Sequence, residues 1–555
     1  MKKYFLNLVA FTAITAVSAV LFSCGNDDED DITNGIDDGN GQTSYLQIPA
    51  TTAEATALVN AIYRPLQTLS SSYTFLLESA TETTISFEEA DDTRDGPQVS
   101  IFETVPSNWY PIKVFNRLYQ SISATNLAIE SIAASELDDN VKKPNIARAR
   151  FIRGYNYFQL VQLFGEVPLI LSVTPTDEER TTRRSIEDVY NQIVKDLTED
   201  IGHLPEFATQ KSNPTQLAAK TILSKVYLTW GQKPLTQSEV EAIKTSRTDP
   251  AKPPVDDAKL QEALKLANEV IASDRYSLLD NFNEIWGVIN ENNSEVIFSI
   301  QHHGDGVDAQ GNHQTHCGFT WPKQAERDPH LSFADIYYEE FLSPHDSRRL
   351  YSFVTEVSYR DVHIDVLTWP ISIVRSGKWI HRSEENTNIA VENQPNSIDH
   401  IDFRLAEVYL IKAEAAFFLD LPGVALEAVN TIRARAGVEA LATLTAQDLY
   451  NEWEYELSQE QKHWLNLVRW RTYIATVLTK VEQFEYYKDA YGNIDQFKQL
   501  PDAIESRFPF YNRIHKHLRG KYNNIEGRFY RFPIPLSEQR TDLGITPQNP
   551  GYSEP

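Results

Sequence analysis

The residues able to do chemistry fall into three sets. The first is carboxylates: among 78 Asp and Glu residues, Glu454, Glu456 and Glu460 crowd one short stretch. A glycosidase needs two carboxylates facing one cleft, and closeness in sequence says nothing of facing. The second set is His302, His303, His313, His316 and Cys317. Their spacings match no standard metal site. Gly304, Gly311 and Gly318 punctuate the stretch, so a polar, solvated loop is expected there, with no metal and no cofactor. No GxSxG, HExxH or P-loop pattern is present, which argues against an enzyme. The third set is aromatic rings in irregular segments. Trp321 stands between Phe319, His316 and Gln314 on one side and Lys323 on the other. Trp109 and Tyr110 follow a loop that offers Phe87, Asp92, Arg94, Asp95, Gln98 and Asn108, and Trp369 and Trp379 lie in a third loop. Rings beside polar side chains are binding chemistry, not bond-breaking chemistry.

The bulk composition narrows the partners. The chain has 555 residues and a net charge of −27, which repels a nucleic acid backbone. Two cysteines, Cys24 and Cys317, are too few for a disulfide scaffold. Met1 to Ser23 reads as a targeting segment: Lys2 and Lys3, then an apolar run from Leu6 to Phe22. The small residue Ser23 followed at once by Cys24 resembles a lipobox, whose cysteine is lipidated. Residues 24–45 follow as a flexible tether opening on Asp27-Asp28-Glu29-Asp30-Asp31, too polar to fold. Acyl chains hold such a protein on a membrane at about 0.8 kcal/mol per CH₂, so the chain is expected to be anchored and not threaded.

From residue 46 onward the helical period dominates. Ala147, Phe151, Gly154, Phe158 and Val161 form a stripe that ends at Gly165. Ser185 opens a helix expected to run through Ile201, and Asn213-Pro214 is expected to open the next. That helix is apolar on two faces, Ala218/Ile222/Val226 and Ala219/Leu223/Tyr227/Trp230, as a helix between two neighbours must be. Asp257 to Ser273 is its expected partner. Phe403, Ala406, Leu410, Ala413 and Phe417 predict another helix, joined through Leu421-Pro422-Gly423 to one ending near Ala436-Gly437. Trp230, Trp464 and Trp470 on such helices are expected in the core. The fold class is therefore all-α, with tetratricopeptide-like helix pairs. Long irregular segments at 83–107, 290–329 and 354–398 interrupt it, and short strands such as Glu295 to Ile300 are expected there.

Four segments resemble the SusD/RagB family: Ala147 to Phe151 continuing to Gly165 and Pro168-Leu169; Phe403 to Ala415 with its Ala-Glu-Val-Tyr-Leu and Ala-Glu-Ala patterns; Glu456-Leu457, Glu460, Trp464, Arg469 and Trp470; and Phe532-Pro533-Ile534-Pro535 with Gln548 to Tyr552. The third departs from the family's Glu-Gly and Asp-Leu pairs at Gln461 and Asn466. The asparagine often preceding the last motif is missing from Thr541 to Gly544. The resemblance implies one SusD-like body over 46–555, divided at about 275 into an N-terminal part, 46–275, and a C-terminal part, 276–555.

It also implies a non-enzymatic, surface-exposed outer-membrane lipoprotein, lipidated at Cys24. Its expected partners are an oligosaccharide or polysaccharide and a SusC-like TonB-dependent transporter. The family motifs pack helices and hold no ligand, so the binding candidates rest on loop position: Trp321, Phe319 and His316 from one loop, Phe87, Asp92, Arg94 and Asn108 from another. A peptide- or other nutrient-binding scaffold is the alternative, and a helical glycosidase the remote one.

Overall fold

Helices begin where the sequence supplies a side-chain acceptor for their first free N–H groups. Thr51 caps α1 (Thr52–Ala61) and closes a capping box with Glu54. α2 (Tyr63–Ser79) follows after Ile62, and β1 (Thr84–Phe87) after a turn. Asn108 caps α3 (Trp109–Ala133), and α4 (Asp139–Phe164) runs to Gly165. The computed structural model describes residues 46–87, 95–302, 332–335, 345–352, 356–359, 362–365, 378, 398–490, 517–540 and 544–553.

Ser185 accepts from the Asp188 N–H and opens α5 (Ile186–Thr198), which stops short of Ile201; a separate 3₁₀ turn spans Ile201–His203. The next helix, α6 (Gln216–Gly231), is capped by Thr215, whose hydroxyl accepts from Ala218 N–H at 3.0 Å. This corrects the expectation that Asn213-Pro214 opens it. Proline holds the residue before it extended, so the turn starts one step later, at the hydroxyl of Thr215.

α7 (Asp257–Ile271) precedes β2 (Val296–Ile300), β3 (Ser332–Asp335) and β4 (His400–Arg404). Then come α8 (Leu405–Phe418), α9 (Pro422–Arg435), α10 (Ala446–Leu457), α11 (His463–Trp470) and α12 (Tyr473–Ala490). Phe403 was expected on α8; it lies on β4 and pairs with Phe298 of β2. Its spacing to Ala406 mimics a helical step across a strand-to-helix junction.

From α2 to α9 each of these helices packs on the next. α6 shows why: it touches α5, α7 and α8, so both of its stripes are covered. A Cβ on its last residue, Gly231, would lie 2.9 Å from a Leu260 methyl of α7, so a side chain there would have to push Leu260 aside. The result is the expected tetratricopeptide-like array. Trp464 and Trp470 are buried, and Trp230 stacks on Tyr190 with centroids 5.3 Å apart.

Gly165 is bound by two constraints. Its φ of +74° with ψ of −126° is a conformation open to glycine alone. A Cβ there would also stand inside the guanidinium of Arg531, which pairs with Glu166. The C-terminal segment closes over the same point. Asn549 donates to Phe164 O (3.0 Å) and Phe532 O (2.7 Å), and Arg183 donates to Asn549 Oδ1 (2.5 Å) and Pro547 O (2.7 Å). The Gln-Asn-Pro-Gly-Tyr motif thus fastens the chain's end to α4.

Candidate functional site

The N-terminus of α3 presents a tryptophan to solvent. Trp109 is 47% exposed, and Val105 beside it is 39% exposed. Both are large apolar groups left outside a core that buries nearly every other tryptophan described. The ring is held, not loose. It meets Tyr110 edge-on at 5.0 Å, and Tyr110 in turn stacks flat on Phe75, centroids 4.2 Å apart. Lys113, one helical turn on, places its ammonium 5.3 Å from the Trp109 ring centre.

Asn108, expected as a ligand contact, is 1% exposed. Its Oδ1 accepts from Tyr110 N–H, and its Nδ2 donates to Asp95 O (2.9 Å) and Gln98 Oε1 (3.2 Å). Burial removes it from contact with solute, and the cap is why it is buried. Asp95 completes the brace: its Oδ1 accepts from Trp109 N–H at 2.8 Å. In the sequence Trp109 stands out only as the residue after the loop. The available signal was its place directly after an N-cap, where a side chain faces outward from the first turn.

Phe87 closes β1, and its backbone pairs with Ser332, the first residue of β3. The chain enters residues 88–94 and leaves residues 303–331 at this same end of the ladder. The described residues that flank the two stretches named from sequence, Phe87 and Ser332, are therefore paired through the main chain. Asp92, Arg94, His316, Phe319 and Trp321 lie outside the described residues, as do Cys24, Trp369 and Trp379.

The remaining chemistry-bearing residues are buried and paired. Arg404 donates to Glu460 (2.8 Å), Glu295 (2.8 Å) and Glu456 (2.5 Å). Arg348 holds Asp346 through two bonds and reaches Glu452 (2.6 Å) and Glu456 (3.1 Å). Arg435 pairs with Glu295 and Glu456, Arg433 with Glu452, and Lys378 with Glu460. Five cations thus meet five carboxylates. Phe282 and Trp286 close over them, with the Arg404 guanidinium 5.7 Å from the Trp286 ring centre. Burial alone would push the Glu456 carboxyl upward; Arg435, Arg404 and Arg348 outweigh it and hold it well below the usual range. Glu454 pairs with His463, which also meets Glu82 at 2.8 Å. Among the described residues Glu454, Glu456 and Glu460 are all buried and each is paired with a basic side chain.

His302, the one member of the histidine set among the described residues, is buried and donates its backbone N–H to Asp399 Oδ1 at 3.0 Å. Its four companions in that set lie outside. No helix among the described residues is long and apolar enough to cross a membrane.

Comparison with known proteins covers both halves. Residues 42–228 match the family model described as "Starch-binding associating with outer membrane", and 367–552 match that of the SusD family. A SusD-like protein of Bacteroides ovatus is 24% identical over 378 residues, 62% of either chain. The starch-binding protein SusD of Bacteroides thetaiotaomicron is 24% identical over 441 residues, 68% of this chain and 73% of that one. Among solved structures, a SusD homologue from Bacteroides thetaiotaomicron superposes with a TM-score of 0.68 over 91% of this chain and 98% of its own, at 19% identity. A laminarin-binding SusD-like protein gives 0.61 over 90% and 99%, at 21% identity. Taken with the helical array, these matches establish that the chain belongs to the SusD/RagB family.

Proposed function

We propose that this protein is a non-catalytic, lipid-anchored glycan-binding protein of the outer surface, which passes oligosaccharide to a SusC-like TonB-dependent transporter. The carrying observation is Trp109: a rigid, half-exposed indole at a helix start, with its backbone N–H held by Asp95. Sugars offer apolar C–H faces to such a ring and hydroxyl edges to neighbouring polar groups. Each ring contact contributes about 1 kcal/mol beyond area burial, so affinity in the μM to mM range is expected. We assign Phe87, Asp92 and Arg94, together with Trp321, Phe319 and His316 from the stretch before β3, to the same platform. The laminarin-binding relative and another bound to a xylogluco-oligosaccharide support the reading at the level of ligand class. Cys24, after a lipobox-like Ser23, supplies the anchor.

A glycan array followed by calorimetry tests the reading. Trp109→Ala and Trp321→Ala should each lower affinity for the best glycan at least tenfold, with unchanged thermal stability. Wild-type affinity in both variants, or release of reducing sugar by the purified protein, would overturn it.

A further inference from the structure

Away from Trp109, a cavity of about 40 Å³ lies where α4, α5, the end of α6, α11 and the C-terminal segment meet. Arg469, Arg471, Arg531 and Lys233 line it, and no carboxylate does among the described residues. In a chain of net charge −27 that is an unusual local balance. The guanidiniums have acidic partners, but these stand behind the lining: Glu414 for Arg469, Glu239 for Arg471 and Glu166 for Arg531. Lys233 has no ion pair among the described residues, and its φ of +56° holds it just past the end of α6.

The cavity also holds a polar group in need of a partner. The Thr229 hydroxyl is buried, its residue 7% exposed, and it has no hydrogen-bond partner among the described residues. An unsatisfied buried hydroxyl costs about 1–3 kcal/mol, so a site that keeps one is built to have it met by something bound. Gln232 lines the same wall, with its Nε2 given to Glu414 Oε1 at 2.6 Å. The Thr229 hydroxyl and the cationic side chains therefore come to the cavity from different elements.

We propose that this cavity is a small-anion site, occupied by a halide or by the carboxylate of a small organic acid. Size sets the class. One water takes about 10–15 Å³ on this measure, so the cavity has room for a few waters or one such anion and excludes a sugar ring. The site is separate from the glycan platform and sits where four helices and the C-terminal segment are held together. Its occupant is a structural ligand that binds the folded chain alone and stabilises it by mass action.

Thermal unfolding of the purified protein tests this at fixed ionic strength. Sodium chloride or sodium acetate is raised from 1 to 200 mM against sodium gluconate, whose anion is too large to enter. The Tm should rise by a few degrees with chloride or acetate; which of the two acts at lower concentration identifies the natural class. Lys233→Gln is a surface change that leaves the fold intact, and it should shift the half-saturating concentration at least fivefold upward. Thr229→Val should do likewise, and bromide-soaked crystals should show an anomalous peak beside Thr229. Equal Tm in all three salts would overturn the proposal; a rise with acetate alone and no bromide peak would assign the site to a carboxylate.

Discussion

Asp95 Oδ1 accepts a hydrogen bond from the backbone N–H of Trp109 at 2.8 Å, and so ties the start of α3 to the start of the short helix Asp95–Ser100. The same N–H is one of the helix's first free donors, so the bond acts as a second cap beside that of Asn108. Position of the exposed indole and stability of the helix start are thereby coupled.

Asp95→Ala should separate that coupling from direct contact. Loss of a cap costs about 1 kcal/mol, which for a chain of this size lowers Tm by roughly 1–2 °C. Glycan affinity should fall a few-fold, because the ring is still present but less fixed. Calorimetry and thermal melts on Asp95→Ala beside Trp109→Ala check this. The idea fails if Asp95→Ala leaves both quantities unchanged.

The buried network predicts a harsher outcome. Glu456 answers Arg348, Arg404 and Arg435 together. Glu456→Gln leaves buried guanidiniums short of one charge, and breaking such a pair costs about 3–5 kcal/mol. Because these cations hold the Glu456 carboxyl well below the usual range, its contribution is full above about pH 4.5 and is lost as pH falls through its lowered folded value. Denaturant unfolding at pH 7 should show a large drop for the variant, and the gap to wild type should shrink only in strong acid. A drop under 1 kcal/mol would show the network to be dispensable.

Much of this was legible. The stripes at Ala147 to Val161 and at Ala218 to Trp230 predicted α4 and α6, because a 3.6-residue period survives in any single sequence. Gly165 and Ser185 marked real boundaries for the same local reason. What failed were exact starts, such as Asn213 where Thr215 is the cap, and contacts between distant segments. Nothing in Phe87 announces Ser332, since a strand's partner is set by the whole fold and not by its own residues. The motif residues Arg404, Glu456 and Glu460 were read as packing. They are packed, but their charges are what meet, and Arg348 and Lys378 join them from stretches with no period to read.

Gly165→Ala should be among the most damaging single changes. It forces a Cβ into the Arg531 guanidinium and an L-residue into a conformation reserved for glycine. A loss above about 3 kcal/mol is expected from strain and broken pairing together. Asn549→Ala should cost less, roughly 1–3 kcal/mol, for the two hydrogen bonds it removes, since Phe164 O keeps Arg183 at 3.2 Å. Limited proteolysis should then cut the C-terminal segment first in both variants. Cleavage elsewhere, with that segment protected, would argue against its role as a fastening.

Glu78 offers the sharpest test by pH. It is buried at the end of α2, where its Oε1 accepts from Gln461 N–H at 2.7 Å. Burial, with the Glu454 charge adding to it, pushes its carboxyl from 4.5 up to about 8. Between those values the folded chain keeps a proton that the unfolded chain has released, so stability falls as pH rises, by up to about 1.4 kcal/mol per unit. His463 shares the cluster. Burial works against its charged form, but Glu454 and Glu82 outweigh that and hold it well above the usual imidazole range, so its stabilising contribution declines only as pH climbs past 6.5 toward that raised value. Glu78→Gln keeps the acceptor for Gln461 and removes only the titration at this position. Relative to wild type the variant should match at pH 4 and gain steadily toward pH 8, as read by urea unfolding at pH 4, 6 and 8. A difference that stays constant across that range would mean that Glu78 ionises in the folded chain as it does in the unfolded one.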